Sequence, residues 1–295
     1  MIKVKQAHNT HKLAFWGFIA PCVILFSAFF LLPLILSIVF SFTNYDGWKR
    51  MDFVGLKNYI KLFSDTNFYT SMGKTFIYSI VTLPFKVIIP LLIAILATSK
   101  YVKGKTLLRT LTYIPVLLSS LVAGITVNWM FGQEYGLINY IINNFGGTAL
   151  QWSLNPTLAT FVVSFAAVWS SIGFNMIIFI GGINNISEDI YEASSIDGAN
   201  KIQTFFKITV PMLLPTTFLV VLLSTVGLLK EYALVQGVTQ GGPGTSTTYV
   251  IQYIFDKGFT KAENGYASAI SIVVMLVFIL IAFVQFKASN GGETE

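Results

Sequence analysis

SEDIYEASSIDGANKIQTFFKITVPMLLP, residues 187–215, carries Glu188, Asp189, Glu192, Asp197, Lys201 and Lys207 between two long apolar runs, so water must reach it. Ser187 suits a helix cap, its hydroxyl accepting from a free first-turn amide, and Glu188 and Asp189 follow where the helix dipole favours carboxylates. Ile186 and Tyr191 occupy the two positions of a hydrophobic staple. Gly198 can end that short helix, and Asn200 can cap a second one in which Ile202, Phe205, Phe206 and Thr209 recur at spacings of three and four. Pro211 closes the unit and opens the next apolar run, because proline is tolerated in a first helical turn. The product is a helical elbow, residues 184–211, between two hydrophobic segments.

The rest of the chain explains those segments. It is 54% hydrophobic and only 11% charged, against about a quarter charged in a typical soluble domain. Apolar stretches recur at 14–41, 76–99, 107–131, 157–183, 212–237 and 265–286, each long enough for the roughly 20 residues that carry a helix across a bilayer. Closed β-barrels alternate polar and apolar residues and show no such runs. The expectation is an all-α membrane protein with six transmembrane helices: a tail at 1–13, one membrane domain at 14–286 and a second tail at 287–295. The run from Ala14 follows Lys3, Lys5 and Lys12, yet far exceeds the roughly 7–15-residue core of a secretory signal and reads as a retained span.

A net charge of +6 would raise the question of nucleic acid in a soluble chain. Here position matters more than the sum. With the N-terminus in the cytoplasm, Lys3, Lys5, Lys12, Lys100, Lys103, Lys105, Arg109, Lys201, Lys207 and Lys287 fall inside, whereas Lys49, Arg50, Lys57, Lys61, Lys257 and Lys261 fall outside. That bias places both ends and the elbow in the cytoplasm. Cys22, the only cysteine, lies in the first span, where it cannot form an internal disulfide and reads as a packing residue.

The elbow also carries a resemblance. Glu192, Ala193, Ser194, Asp197, Gly198, Ala199, Phe205, Ile208 and Pro211 reproduce the glutamate-alanine-alanine loop of the membrane-spanning subunits of bacterial ABC importers, with serine for the second alanine. EASSIDGAN followed by FFKITVP is similar to the carbohydrate-importer permeases of the maltose type, as are FVGLKNY in the first external segment (41–63) and WMFGQEYGLIN at 129–139. The resemblance implies the type I ABC importer permease (MetI-like) fold, with the loop as a cytoplasmic coupling helix that docks on an ATPase through Glu192, Ala193, Ser194, Asp197, Gly198 and Ala199. An ordinary interfacial helical hairpin is the plain alternative.

The same resemblance places Trp169, Ser171, Ser224, Gly227, Leu228 and Glu231 where sugar-facing side chains are found. An aromatic ring can cover an apolar sugar face while hydroxyls and a carboxylate accept sugar hydroxyls; packing between helices is the other role open to Trp169 and the serines. Gly227 and Leu228 replace larger or more polar residues of the family pattern. Lys86, between Pro84 and Pro90, and Lys230 lie within spans, and Lys86 must face protein or water, as a structural partner or in the pathway. Adjacent residues of a helix point about 100° apart, so Lys230 and Glu231 cannot neutralise each other side by side. Gly73-Lys74-Thr75 mimics the end of a phosphate-binding loop, but Phe68 stands where that loop needs glycine. The turn at Gly241–Gly244 reads as a flexible external loop.

The implied function is a non-catalytic permease subunit of an ATP-driven sugar importer. Its implied partners are a second homologous permease, a cytoplasmic ATPase dimer that holds the ATP and magnesium, an external sugar-binding protein, a carbohydrate and the lipid bilayer. This chain itself calls for no cofactor, metal or nucleic acid. A permease for glycerol phosphate or another small solute is the alternative. An ion-coupled transporter would need a relay of membrane acids or histidines, and the spans offer only Glu231, with His8 and His11 in the tail.

Overall fold

The computed structural model describes residues 15–100 and 102–289. The tail predicted at 1–13, with its lysines and histidines, and the end of the second tail lie outside the described residues. The described residues form two compact units, one of residues 15–65 with 254–275, the other of 66–100 and 102–253 with 276–289.

In the first unit, α1 runs from Phe15 to Ser41 as one apolar helix, with a π-helical segment at Ser27–Leu31. Its most apolar window has no buried residue, and Cys22 is exposed, so the packing role expected for that cysteine is not met within this chain. The turn after α1 is held by side chains. Asp46 accepts from the amides of Trp48, Lys49 and Arg50 at 2.9, 3.1 and 3.2 Å. Asn58, on α2 (Lys57–Phe63), donates to the carbonyls of Ser41 and Thr43 at 2.9 and 2.8 Å. Gly265 donates to Tyr45 O at 2.8 Å, and a Cβ there would overlap Thr43 O.

The second unit is built on two long helices, α3 (Thr66–Thr98) and α7 (Pro156–Asn184). α3 begins nearly three turns before the predicted apolar run, because Thr66–Lys74, a mixed polar and apolar stretch with Phe68 and Met72 buried, continues the helix. Pro84 and Pro90 lie inside it without breaking it. Arg109 donates to Ala97 O at 2.7 Å and Lys105 to Thr98 O at 3.5 Å, satisfying the last carbonyls of α3 with cations. The basic run read only as an orientation signal therefore also caps a helix.

Two predicted spans are corrected. The third, expected unbroken over 107–131, is a bent pair: α4 (Lys105–Tyr113, tightening to a 3₁₀ turn at Ile114–Leu117) and α5 (Ser120–Met130), at 106°. Pro115 removes an amide at the bend, and Ser119 restarts the helix by accepting from Val122 N at 3.4 Å. The connection that follows is tied by α6 (Leu137–Asn144), whose Asn139 accepts from Trp152 Nε1 and Leu150 N at 2.9 and 3.0 Å.

After α7 come the elbow helices α8 (Glu188–Ile196) and α9 (Lys201–Met212, π-helical at Phe205–Thr209). The fifth span, expected over 212–237, is α10 (Leu214–Leu229), bent 64° from α9, followed by a break at Lys230–Tyr232 and the short α11 (Ala233–Val238). Gln252, on α12 (Val250–Phe255), donates to the carbonyls of Glu231 and Tyr232 at 3.3 Å each, covering the groups that the break leaves open. The sixth span is α13 (Asn264–Ala288). Among the described residues, four uninterrupted helices, α1, α3, α7 and α13, are long and apolar enough to cross a bilayer, and counting each bent pair as one span brings the number to six.

Glycines let these elements touch at backbone distance. A Cβ on Gly237 would lie 2.5 Å from Leu121 O, and one on Gly124 would overlap Leu234 O, so α5 and α11 meet without side chains between them. Around this contact lies a core of Tyr78, Val127, Phe131, Val163, Ala166 and Leu228 with Val235 and Tyr249. The Gly241–Gly244 turn is not the loose loop expected. Thr247 is fully buried, shares a 2.7 Å hydrogen bond with Thr239 Oγ1 and donates to Gly242 O at 2.8 Å.

Candidate functional site

The elbow forms as its sequence dictates, and more firmly. Ser187 accepts from Asp189 N at 3.3 Å with Glu188 and Asp189 in the first turn of α8. Ile186 is buried, as a staple requires. Gly198 has a φ of +76°, a conformation in which a Cβ is strained. Its amide donates to Ser195 O at 3.2 Å and that of Ala199 to Ser194 O at 3.0 Å, a complete Schellman termination. Asn200 then opens α9 with a reciprocal capping box: its side chain accepts from Gln203 N at 2.9 Å, and Gln203 Oε1 accepts from Asn200 N at 2.9 Å. Asn-x-x-Gln was the visible signal for this box. Tyr191 OH and Thr209 Oγ1, 3.3 Å apart, tie the two helices together.

These caps fix what the elbow shows outward. Glu192, Ala193, Asp197 and Gly198 are exposed and Ala199 half-buried, whereas Ser194 is buried with its hydroxyl on Tyr191 O at 2.8 Å. The face expected to join Ile202, Phe205, Phe206 and Thr209 divides: Thr209 turns inward, while Ile202 and Phe206 are 70% and 64% exposed, and Ile196 on α8 is 86% exposed. Three large apolar side chains thus project from a rigid, otherwise polar knuckle.

The residues expected along a pathway separate into two groups. Ser224 on α10 is buried and accepts from Asn175 Nδ2 at 3.2 Å; the same amide donates to the backbone oxygen of Lys86 at 2.8 Å. Asn175 therefore joins α3, α7 and α10, a role beyond its reading as a polar residue of span four. Lys86 is buried, within Coulombic reach of Glu231 but without a direct ion pair among the described residues. Glu231 stands at the break and accepts from Leu234 N at 3.4 Å, while Lys230 is exposed, so the reading of both as neighbours within one helix gives way to a helix end.

Leu228 lies in the core at 1% exposure, and Trp169 packs against that core while remaining half-open. Ser171 donates to Ala167 O at 2.8 Å, and Gly227 is exposed with nothing near its Cβ position. Asn175, Ser224, Lys86 and Glu231 make a polar seam through apolar helices. It can offer hydroxyl, amide and charged groups to a polar solute.

Comparison with known proteins places this geometry. Residues 68–290 match the family model described as binding-protein-dependent transport system inner membrane component. The chain is 34% identical over 289 residues to the arabinooligosaccharides transport system permease protein AraP of Bacillus subtilis (strain 168), covering 96% of this chain and 91% of that protein. It is 30% identical over 281 residues to the sn-glycerol-3-phosphate transport system permease protein UgpA of Agrobacterium fabrum, covering 94% of each. Its fold matches, with a TM-score of 0.85 at 22% identity over 96% of both chains, a chain in the crystal structure of a bacterial alginate ABC transporter in complex with alginate pentasaccharide-bound periplasmic protein. With its capped elbow between membrane helices and a match that spans most of its length, this chain belongs to the family of binding-protein-dependent transport system inner membrane components.

Proposed function

We propose that this chain is a non-catalytic permease subunit of an ATP-driven importer of carbohydrates, with an oligosaccharide as the favoured cargo. The observation that carries this reading is the knuckle itself: a helix capped at both ends, presenting Glu192 and Asp197 beside exposed Ile196, Ile202 and Phe206. Exposed apolar side chains on a rigid polar scaffold suit a groove in another protein. That protein is a cytoplasmic ATPase dimer holding ATP and magnesium, gripped through Glu192, Ala193, Asp197, Gly198 and Ala199, while Ser194, expected in the same contact, is buried and braces the helix from within.

A second, related permease completes the pathway in the bacterial cell membrane, both termini face the cytoplasm, and an external binding protein delivers the sugar. Closure of the ATPases swings the elbow, and rigid-body motion of the attached helices exchanges inward-open for outward-open states. Trp169, Ser171, Gly227 and Glu231 lie along the route; Leu228 and Ser224, expected there too, are buried behind it, Leu228 in the core and Ser224 on Asn175. The arabinooligosaccharide relative favours sugar; the glycerol-phosphate relative and buried Lys86 favour a second reading, a phosphorylated polyol.

The deciding experiment purifies the assembled complex. Glu192→Lys should leave the chain inserted and assembled at low salt yet abolish solute-stimulated ATP hydrolysis. Unchanged hydrolysis would remove the coupling assignment. Solute binding to the partner binding protein, with arabinooligosaccharides against glycerol phosphate, separates the two cargoes.

A further inference from the structure

A groove of about 690 Å³ lies between α3 and α7, and none of the four seam residues lines it. Its two ends differ in chemistry. At one end stand Lys74, Thr157 and Ser246; below them the walls are Val81 and Phe85 from α3 and Phe161 and Phe165 from α7. Lys74 falls just before the apolar run of α3, and Thr157 opens that of α7, so the polar end lies where both helices leave the hydrocarbon. At 1.5 Å rise per residue, the walls from Lys74 to Phe85 and from Thr157 to Val168 each descend about 16 Å, close to half the roughly 30 Å hydrocarbon thickness.

The polar end is unsatisfied in a particular way. Lys74 donates to the carbonyl and hydroxyl of Thr245, both neutral, and no carboxylate pairs with it among the described residues. Ser246 Oγ, beside it, is buried without a hydrogen-bond partner. A cation and an unused hydroxyl thus converge at the boundary of the bilayer, above an apolar trough one leaflet deep.

We propose that this groove holds one anionic phospholipid. The phosphate accepts from Lys74 and Ser246, and an acyl chain lies between Phe85 and Phe161. The charge selects the head group; the aromatic walls select a chain rather than a free anion, because a soluble phosphate leaves that surface uncovered. The proposal goes beyond the transport reading and depends neither on the cargo nor on which side of the membrane this end faces.

Native mass spectrometry of the delipidated full-length chain in detergent, titrated with phosphatidylglycerol or phosphatidylcholine of matched chains, tests it. Phosphatidylglycerol should bind about fivefold better, the effect of one lysine near a lipid surface. Lys74→Ala should erase that preference, and Thr160→Trp, which fills the trough, should remove the bound lipid while the folding midpoint stays put. Equal binding by both variants and the native chain overturns the proposal. So does displacement of the lipid by millimolar glycerol phosphate, which would make the groove a solute site. Efficient disulfide trapping of Phe85→Cys or Phe161→Cys to a second permease in the assembled transporter would show protein there instead and also overturn it.

Discussion

Asp46 shows how much a single exposed side chain can organise. Its carboxylate accepts three successive backbone amides in the segment after α1, the strongest of them from Trp48, and these bonds hold its pKa below the usual carboxylate value. A lowered folded pKa means that the turn is fully stabilised above the unfolded value and loosens as pH falls through the folded one. Protection of the Trp48–Arg50 amides, measured relative to their intrinsic exchange at each pH, should therefore fall on acidification towards pH ~3, and Asp46→Asn should remove that loss of protection. Asn139 works deeper: Asn139→Leu orphans Trp152 Nε1 and Leu150 N, and should cost about 1–3 kcal/mol in a detergent unfolding assay. Gly124 and Gly227 form a matched pair. Gly124→Leu drives a side chain into Leu234 O and should destabilise by about 1–3 kcal/mol or more, whereas Gly227→Ala meets nothing and should leave the midpoint unchanged.

At the scale of elements, sequence and structure agree where local chemistry decides. Ser187, Gly198 and Asn200 announced the elbow because a cap is read from one residue type and its neighbour three or four positions on. Pro115 could have announced the bend in the third span, but a proline within an apolar run also passes unnoticed, as Pro84 and Pro90 do inside α3. The break at Lys230–Tyr232 was marked only by two adjacent charges within an apolar run; the groups that accommodate it, Gln252 on its open carbonyls and Gly237 close against α5, come from elsewhere in the chain. The hub role of Asn175 was hidden for the same reason, since its partners are the backbone of Lys86 and the hydroxyl of Ser224. At Gly198 only the backbone is at stake, because no atom lies within 4 Å of its Cβ position. Gly198→Ala should cost about 1–2 kcal/mol of local order and lower the coupling efficiency of ATP hydrolysis without affecting membrane insertion.

For the whole molecule, composition fixed the class and the apolar runs fixed the number of spans, but not their straightness. The long-range polar seam was only half legible: Lys86 and Glu231 stand out as the opposite charges within the spans and so as candidates to interact, whereas the junction that Asn175 makes with Ser224 and the Lys86 backbone does not. If the two charges act together, Lys86→Met and Glu231→Gln should show non-additive effects on stability in a double-mutant cycle, with a coupling of about 0.5–3 kcal/mol. Additive effects would mean that each serves separately.

The backbone contact of α5 with α11 has a mechanical meaning. Two helices that touch backbone to backbone at Gly124 and Gly237 leave no room for a side chain between them, and such close packing favours their moving together. The lower half of span five, α10, is rooted beside the elbow, and the Lys230–Tyr232 interruption separates it from that pair. On the proposed reading, a displacement of the elbow would reach the Lys230–Tyr232 break first, and α11 would be expected to carry α5 with it; tethering α5 to α11 by a cross-link should then leave solute-stimulated ATP hydrolysis intact.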